Sequence, residues 1–252
     1  MQDSTEAAQP GRNRTGLQTS QELSEEMNDV VQPVAAATAD ASPLNEVRLQ
    51  YIREADPLGA IPPLITTKDA DKTGARLTAG AQPQIFVDKL AERLAYERSG
   101  TRLYDAVIAK FAAYAGELPN ASLQEVVEIR NEEASHAALI RTCLEQLGAD
   151  PTAQTPSADL VGVATGGFLQ AATDPRTTLA QTLQIALAAE LVDAASWELL
   201  IAIARQVGQD DMAERFQKAR EHETEHVAKV RGWYESLALA DATGRSPTPR
   251  LQ

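Results

Sequence analysis

The pattern Glu-x-x-His occurs twice in a chain with only three histidines, and each copy follows a glutamate set in apolar sequence. The copies are Glu133-Ala-Ser-His136 and Glu223-Thr-Glu-His226. Glu97 precedes Glu133 by 36 residues, and Glu190 precedes Glu223 by 33. On an α-helix, residues three apart lie about 60° apart around the axis and about 4.5 Å along it, so each pair serves one face. The halves also align around the lone glutamates. LAYERSGTRLYDAVI parallels AAELVDAASWELLI, with Tyr104 seven residues after Glu97 and Trp197 seven after Glu190. A pseudo-two-fold pairing of the halves would bring all six polar groups to one point in a core.

Electrostatics states what that point must contain. Glu97 and Glu190 have Leu94, Leu187 and Leu191 nearby in sequence. Burying an unpaired carboxylate costs several kcal/mol. Four together repel unless protonated. Two divalent cations supply +4 against four negative charges, which gives a reason to bury all four. Without metal, the helices are expected to be marginal or to splay. A purely structural bundle leaves six aligned polar groups unexplained.

The surrounding sequence reads as helices. Apolar or small side chains at Phe86, Leu90, Leu94, Thr101, Tyr104, Ile108 and Phe111 recur at helical intervals and predict a helix from 84 to 115. A second is expected from 122 to 147, with Ser122 and Glu125 as a capping box and Gly148 as the stop. A third should begin near Thr173–Pro175 and end at Gly208, and a fourth should run from 210 to 237. Short connections make the first and second, and the third and fourth, antiparallel hairpins. The connection over 148–173 is long enough to run the length of a bundle, with a small helix at 158–168. The expected fold is therefore all-α: two antiparallel hairpins joined by a long crossover.

Composition divides the chain near residue 82. Residues 1–82 are rich in Gln, Ala, Thr, Ser, Asp and Pro, carry a net −5, and are expected to be mostly disordered, with a short helix around 44–53. The apolar, proline-punctuated stretch 57–65 favours an extended piece that packs on the domain or on another subunit. The helical domain is assigned to 83–240 and a flexible tail to 241–252.

The net charge of the whole chain is −13, which disfavours nucleic acid as a partner and suits attraction of cations. No stretch approaches the roughly 20 apolar residues needed to cross a bilayer, so no membrane partner is expected. The first residues hold no apolar run of a secretory signal. A single cysteine, Cys143, forbids an internal disulfide and a four-thiolate iron site, and points to a reducing, cytoplasmic setting.

One Glu, one Glu-x-x-His, one Glu and one Glu-x-x-His on four successive helices resembles the ferritin-like di-metal carboxylate superfamily, with bacterioferritins and rubrerythrins nearest in ligand set. The resemblance covers roughly 84 to 237. It implies a ferritin-like four-helix bundle holding two Fe ions, with Mn as the alternative. Glu133 and Glu223 would bridge the ions. Glu97 and Glu190 would be terminal carboxylates, and His136 and His226 terminal nitrogen ligands. Tyr104 matches a tyrosine near the metals in many members, with a catalytic role through a hydrogen bond to a ligand or electron donation. Asp193 falls where rubrerythrins carry an additional glutamate, with a shorter side chain.

The implied function is a di-iron oxidoreductase of ferroxidase or peroxidase type reacting with O2 or H2O2. A peroxidase of this composition would need an external electron donor. Helix signals of the fifth helix of ferritin cages are missing after 237, which counts against cage-type storage. A homodimer or larger homo-oligomer stays open. The alternatives are a di-manganese catalase-like enzyme and a non-catalytic metal-binding or interaction module. Among flanking residues, His222 reads as a surface histidine, Glu132 and Glu225 as solvated neighbours of the ligands, Tyr96 and Arg98 as structural, Trp197 as core, and Cys143 as an inert core thiol.

Overall fold

A computed structural model describes residues 25, 26, 29, 30, 42–55, 83–114, 116–118 and 121–243. The chain divides into two units, Met1–Asp56 and Pro57–Gln252. In the first, helix α1 spans Ser42–Glu54 and buries none of its residues. Most of the stretch expected to be disordered, and the apolar piece at 57–65, lie outside the described residues, as does all of the C-terminal tail beyond 243.

The second unit is all-helical among its described residues: α2 (Pro83–Ala113), α3 (Leu123–Gln146), α4 (Pro156–Thr173), α5 (Leu179–Gln206) and α6 (Asp210–Ala242). Helices α2 and α3 pack together, as do α5 and α6, and α2 also lies against α5. None of the described helices is long and apolar enough to cross a membrane.

Helix ends follow local chemistry. The Ser122 side chain accepts from Glu125 N at 3.2 Å, and the Glu125 carboxylate accepts from Ser122 N at 2.8 Å, closing the expected capping box. Gly148 and Gly208 take φ of +76° and +77° just past α3 and α5, a conformation that suits glycine at a helix stop.

Two boundaries differ from expectation. Helix α5 starts at Leu179, not near Pro175. Asp174 folds back on its own turn, where its Oδ1 accepts from Arg176 N at 2.9 Å. Thr178 then supplies the cap, accepting from Gln181 N at 3.2 Å. Helix α6 continues five residues past 237 to Ala242.

The long connection also holds more than a small helix. Helix α4 is 18 residues long, N-capped by Thr155 with Pro156 in its first turn. It is pinned to α2 at both ends. Asp88 accepts from Ser157 N at 3.0 Å and from Ser157 Oγ at 2.5 Å. At the other end, Lys110 Nζ donates to the carbonyls of Asp174 and Thr177, each at 2.7 Å. Those contacts make α4 parallel to α2 and carry the chain from one end of the helical pack to the other.

The interior has three levels. One apolar cluster joins the start of α2 (Phe86, Leu90, Leu94) to the ends of α3 and α5 and the start of α6. A second joins the far half of α2 (Val107, Phe111) to the start of α3 and α5 and the end of α6. Between them lies a buried polar layer: Arg93, Glu97, Glu133, His136, Glu190, Asp193, Glu223 and His226. Replacing Ser122 with Ala removes the α3 cap and is expected to lower the unfolding free energy by about 1 kcal/mol in urea melts. Metal content should be unchanged, because the cap lies at the end of α3, two helical turns and more from Glu133.

Candidate metal centre

All six ligands read from the sequence meet in the polar layer. Glu97, Glu133, His136 and Glu223 form one group and Glu133, Glu190, Glu223 and His226 a second, each with its potential ligand atoms within 4.8 Å of one another. Glu133 and Glu223 belong to both groups. Each group draws on three helices: α2, α3 and α6 in the first, and α3, α5 and α6 in the second.

The histidines present Nδ1 to the carboxylates. His136 Nδ1 is 2.9 Å from Glu223 Oε1 and 3.7 Å from Glu97 Oε2. His226 Nδ1 is 3.4 Å from Glu133 Oε1, 3.4 Å from Glu223 Oε2 and 3.6 Å from Glu190 Oε2. Despite this closeness, both Glu97 oxygens, both Glu223 oxygens, Glu133 Oε1, Glu190 Oε2 and both Nδ1 atoms are buried without a well-aligned hydrogen bond. Buried polar atoms are normally satisfied. A set of convergent oxygen and nitrogen donors left orphaned together fits a cation at their focus, and these residues can hold metal.

Surrounding groups tune the layer. Arg93 is buried, with Nε 2.9 Å from Glu97 Oε1 and Nη1 3.2 Å from Asp193 Oδ1. Its guanidinium lies 4.3 Å from the Tyr96 ring centroid, and the Tyr96 hydroxyl donates to the Ala189 carbonyl at 2.7 Å. Asp193 is thus turned to Arg93 and belongs to neither ligand group. The negative charge of Asp193 is matched by Arg93, which leaves four glutamates to be matched by cations. Tyr104 is buried and its hydroxyl donates to Glu190 Oε1. Trp197 packs edge-on to His136 at 5.6 Å and fills core beside Phe216. Cys143 is buried in the apolar cluster and its thiol is pushed up to about 11 by burial, in keeping with an inert thiol.

Two neighbours read as solvated touch the site. His222 is exposed, yet its Nδ1 lies 3.2 Å from His136 Nε2. Glu132 is half-buried, and its Oε2 accepts from His226 Nε2 at 2.7 Å. Both contacts cross between α3 and α6, so the hundred-degree step along one helix correctly turns each residue from its own neighbour but says nothing of the facing helix. Arg98 is exposed, as expected of a flanking residue.

Gly100 carried no signal in the sequence beyond its place one turn after Glu97. A Cβ built there would stand 2.1 Å from Glu133 Oε2, so the bare backbone makes room for the carboxylate.

Proton affinities report the crowding. Burial pushes Glu190 up to about 7, and burial with the Glu223 charge holds Glu133 well above the carboxylate range. Burial alone would depress His136, but Glu223 and Glu97 outweigh it and raise the ring to about 10. Burial would raise Glu223, but the His136 and His226 rings set against its two oxygens hold it below the usual range.

Residues 82–243 match the family model described as a domain of unknown function, DUF892, and the chain belongs to that family. The match begins at the residue before α2 and ends just past α6, so it takes in every residue of both groups. No curated protein matches the chain. Nor does any solved structure.

Two outcomes follow from this geometry. In Gly100→Ala, the added methyl meets the free end of a side chain and not backbone, so circular dichroism should show an intact fold. Displacing Glu133 should weaken divalent-metal affinity on the order of tenfold or more in equilibrium dialysis. The second concerns pH in metal-free protein. Glu190 contributes stability below its unfolded value of 4.5 that is lost as pH rises through about 7, and His136 contributes below 6.5 what is lost through about 10. Glu223 acts oppositely, but only as pH falls below 4.5. The melting temperature should therefore fall from pH 5 to 10, and a divalent ion should flatten that slope. A rise over this range would contradict the assignment.

Proposed function

We propose that this chain is a ferritin-like di-metal carboxylate protein, a di-iron oxidoreductase of ferroxidase or peroxidase type that reacts with O2 or H2O2. In this reading α2, α3, α5 and α6 are the four helices of the bundle and α4 lies along the crossover. The observation that carries it is the pair of overlapping ligand groups sharing Glu133 and Glu223. Two shared carboxylates with one further carboxylate and one imidazole on each side suit two first-row metals held close together.

Bound iron would supply two electrons to the oxidant. The protein's part is to hold, balance and shield. Glu133 and Glu223 would serve both ions, with Glu97 and His136 holding one and Glu190 and His226 the other. The Tyr104 hydroxyl orients Glu190 by donating to it, and its place beside a ligand suits the catalytic role implied by the resemblance. Arg93 steadies Glu97 and neutralises Asp193, so the site takes up four positive charges without surplus. The apolar clusters on either side keep bulk water from the layer. An external electron donor would restore the reduced state in a peroxidase.

The test is anaerobic loading with Fe(II), desalting and measurement of iron per chain, wild type against Glu133→Ala/Glu223→Ala. Close to two irons per chain, lost in the double variant, followed by iron-dependent consumption of O2 or H2O2, is expected. Retention of no iron by wild type would overturn the reading. Oxygen release from peroxide with Mn-loaded protein, and no turnover with iron, would assign it instead to di-manganese catalase-like chemistry.

A further inference from the structure

The two ends of the cluster are built differently at matching places. The residue before each Glu-x-x-His glutamate reaches across to the histidine of the facing helix. From α3, Glu132 Oε2 stands 2.7 Å from His226 Nε2. From α6, His222 Nδ1 stands 3.2 Å from His136 Nε2, with the two rings stacked at 20° and their centroids 5.4 Å apart. With a cation on the Nδ1 atoms that face the carboxylates, Nε2 would carry the ring proton and donate it outward. His226 would then donate to an anion and His136 to an imidazole nitrogen. A carboxylate acceptor makes the ligating nitrogen the stronger donor, and a neutral imidazole does so far less.

The terminal carboxylates differ in the same sense. Glu97 shares the Arg93 guanidinium with Asp193, its Oε1 2.9 Å from Nε. Glu190 meets the neutral Tyr104 hydroxyl.

We propose that the two ion positions are inequivalent: the one at Glu190 and His226 fills first and holds tightly, and the one at Glu97 and His136 is weaker and exchangeable. Glu132 and His222 are the positioning residues that set the difference. This inference rests on the two-ion reading of the site.

The experiment is stepwise binding of Co(II) to the full chain without oxygen, followed by calorimetry and by the visible bands of the bound ion. Wild type should show two steps at least tenfold apart. Glu132→Gln keeps an acceptor but removes the charge, and should weaken the first step about tenfold while leaving the second. His222→Glu gives His136 the carboxylate that His226 has, and should tighten the second step and narrow the interval. Both positions reach solvent, so both variants should fold. Two cobalt ions of equal affinity, or a Glu132→Gln effect confined to the weaker step, would overturn the inference and leave the two-ion site standing. One ion or none per chain would overturn both.

Discussion

Four glutamates buried in one layer, with apolar side chains above and below, is the constraint on which the rest of this structure depends. Water cannot stabilise them, and they sit too close for all to be charged without compensation. Arg93 answers the fifth acid, Asp193, and two imidazoles answer part of the remainder. What is left is a focus of unsatisfied donors that a pair of divalent cations would satisfy. The surrounding architecture serves that focus. The capping boxes fix where α3 and α5 begin, the apolar clusters fix how the hairpins meet, and the bare backbone at Gly100 lets Glu133 lean in.

Helix α4 contributes without touching the cluster. It is tied to α2 by Asp88 at one end and Lys110 at the other, and it also packs against α5. Leu103 of α2, Ala172 of α4 and Ala189 of α5 form a third, smaller apolar contact there. Helices α2 and α5 carry Glu97 and Glu190, so a strap across both restrains the outer ends of the cluster.

The convergence of six residues was legible in the sequence because their spacing repeats. Two copies of one spacing, each on helical periodicity, identify the faces and the order of the helices without any knowledge of how they meet. The missed features all depend on that meeting. His222 lies beside His136 and Glu132 beside His226 only because α3 and α6 face each other in one particular register, and no pattern within a single helix encodes it. Arg93 is recognisable as a counter-charge only once Asp193 from α5 stands next to it. The late start of α5 was hidden for a local reason: Pro175 suits a helix start, but Asp174 closes a tight turn first and leaves Thr178 as the better cap.

The two glutamates common to both groups belong to different hairpins, Glu133 to the first and Glu223 to the second. Neither hairpin alone can complete a group of four, since each supplies two glutamates and one histidine. Any occupancy of the site by a cation would therefore be thermodynamically linked to the docking of one half of the domain on the other. Were the site to hold metal, its supply would govern how long the halves stay closed, and a chain starved of metal would be one whose halves separate more readily and meet proteases first.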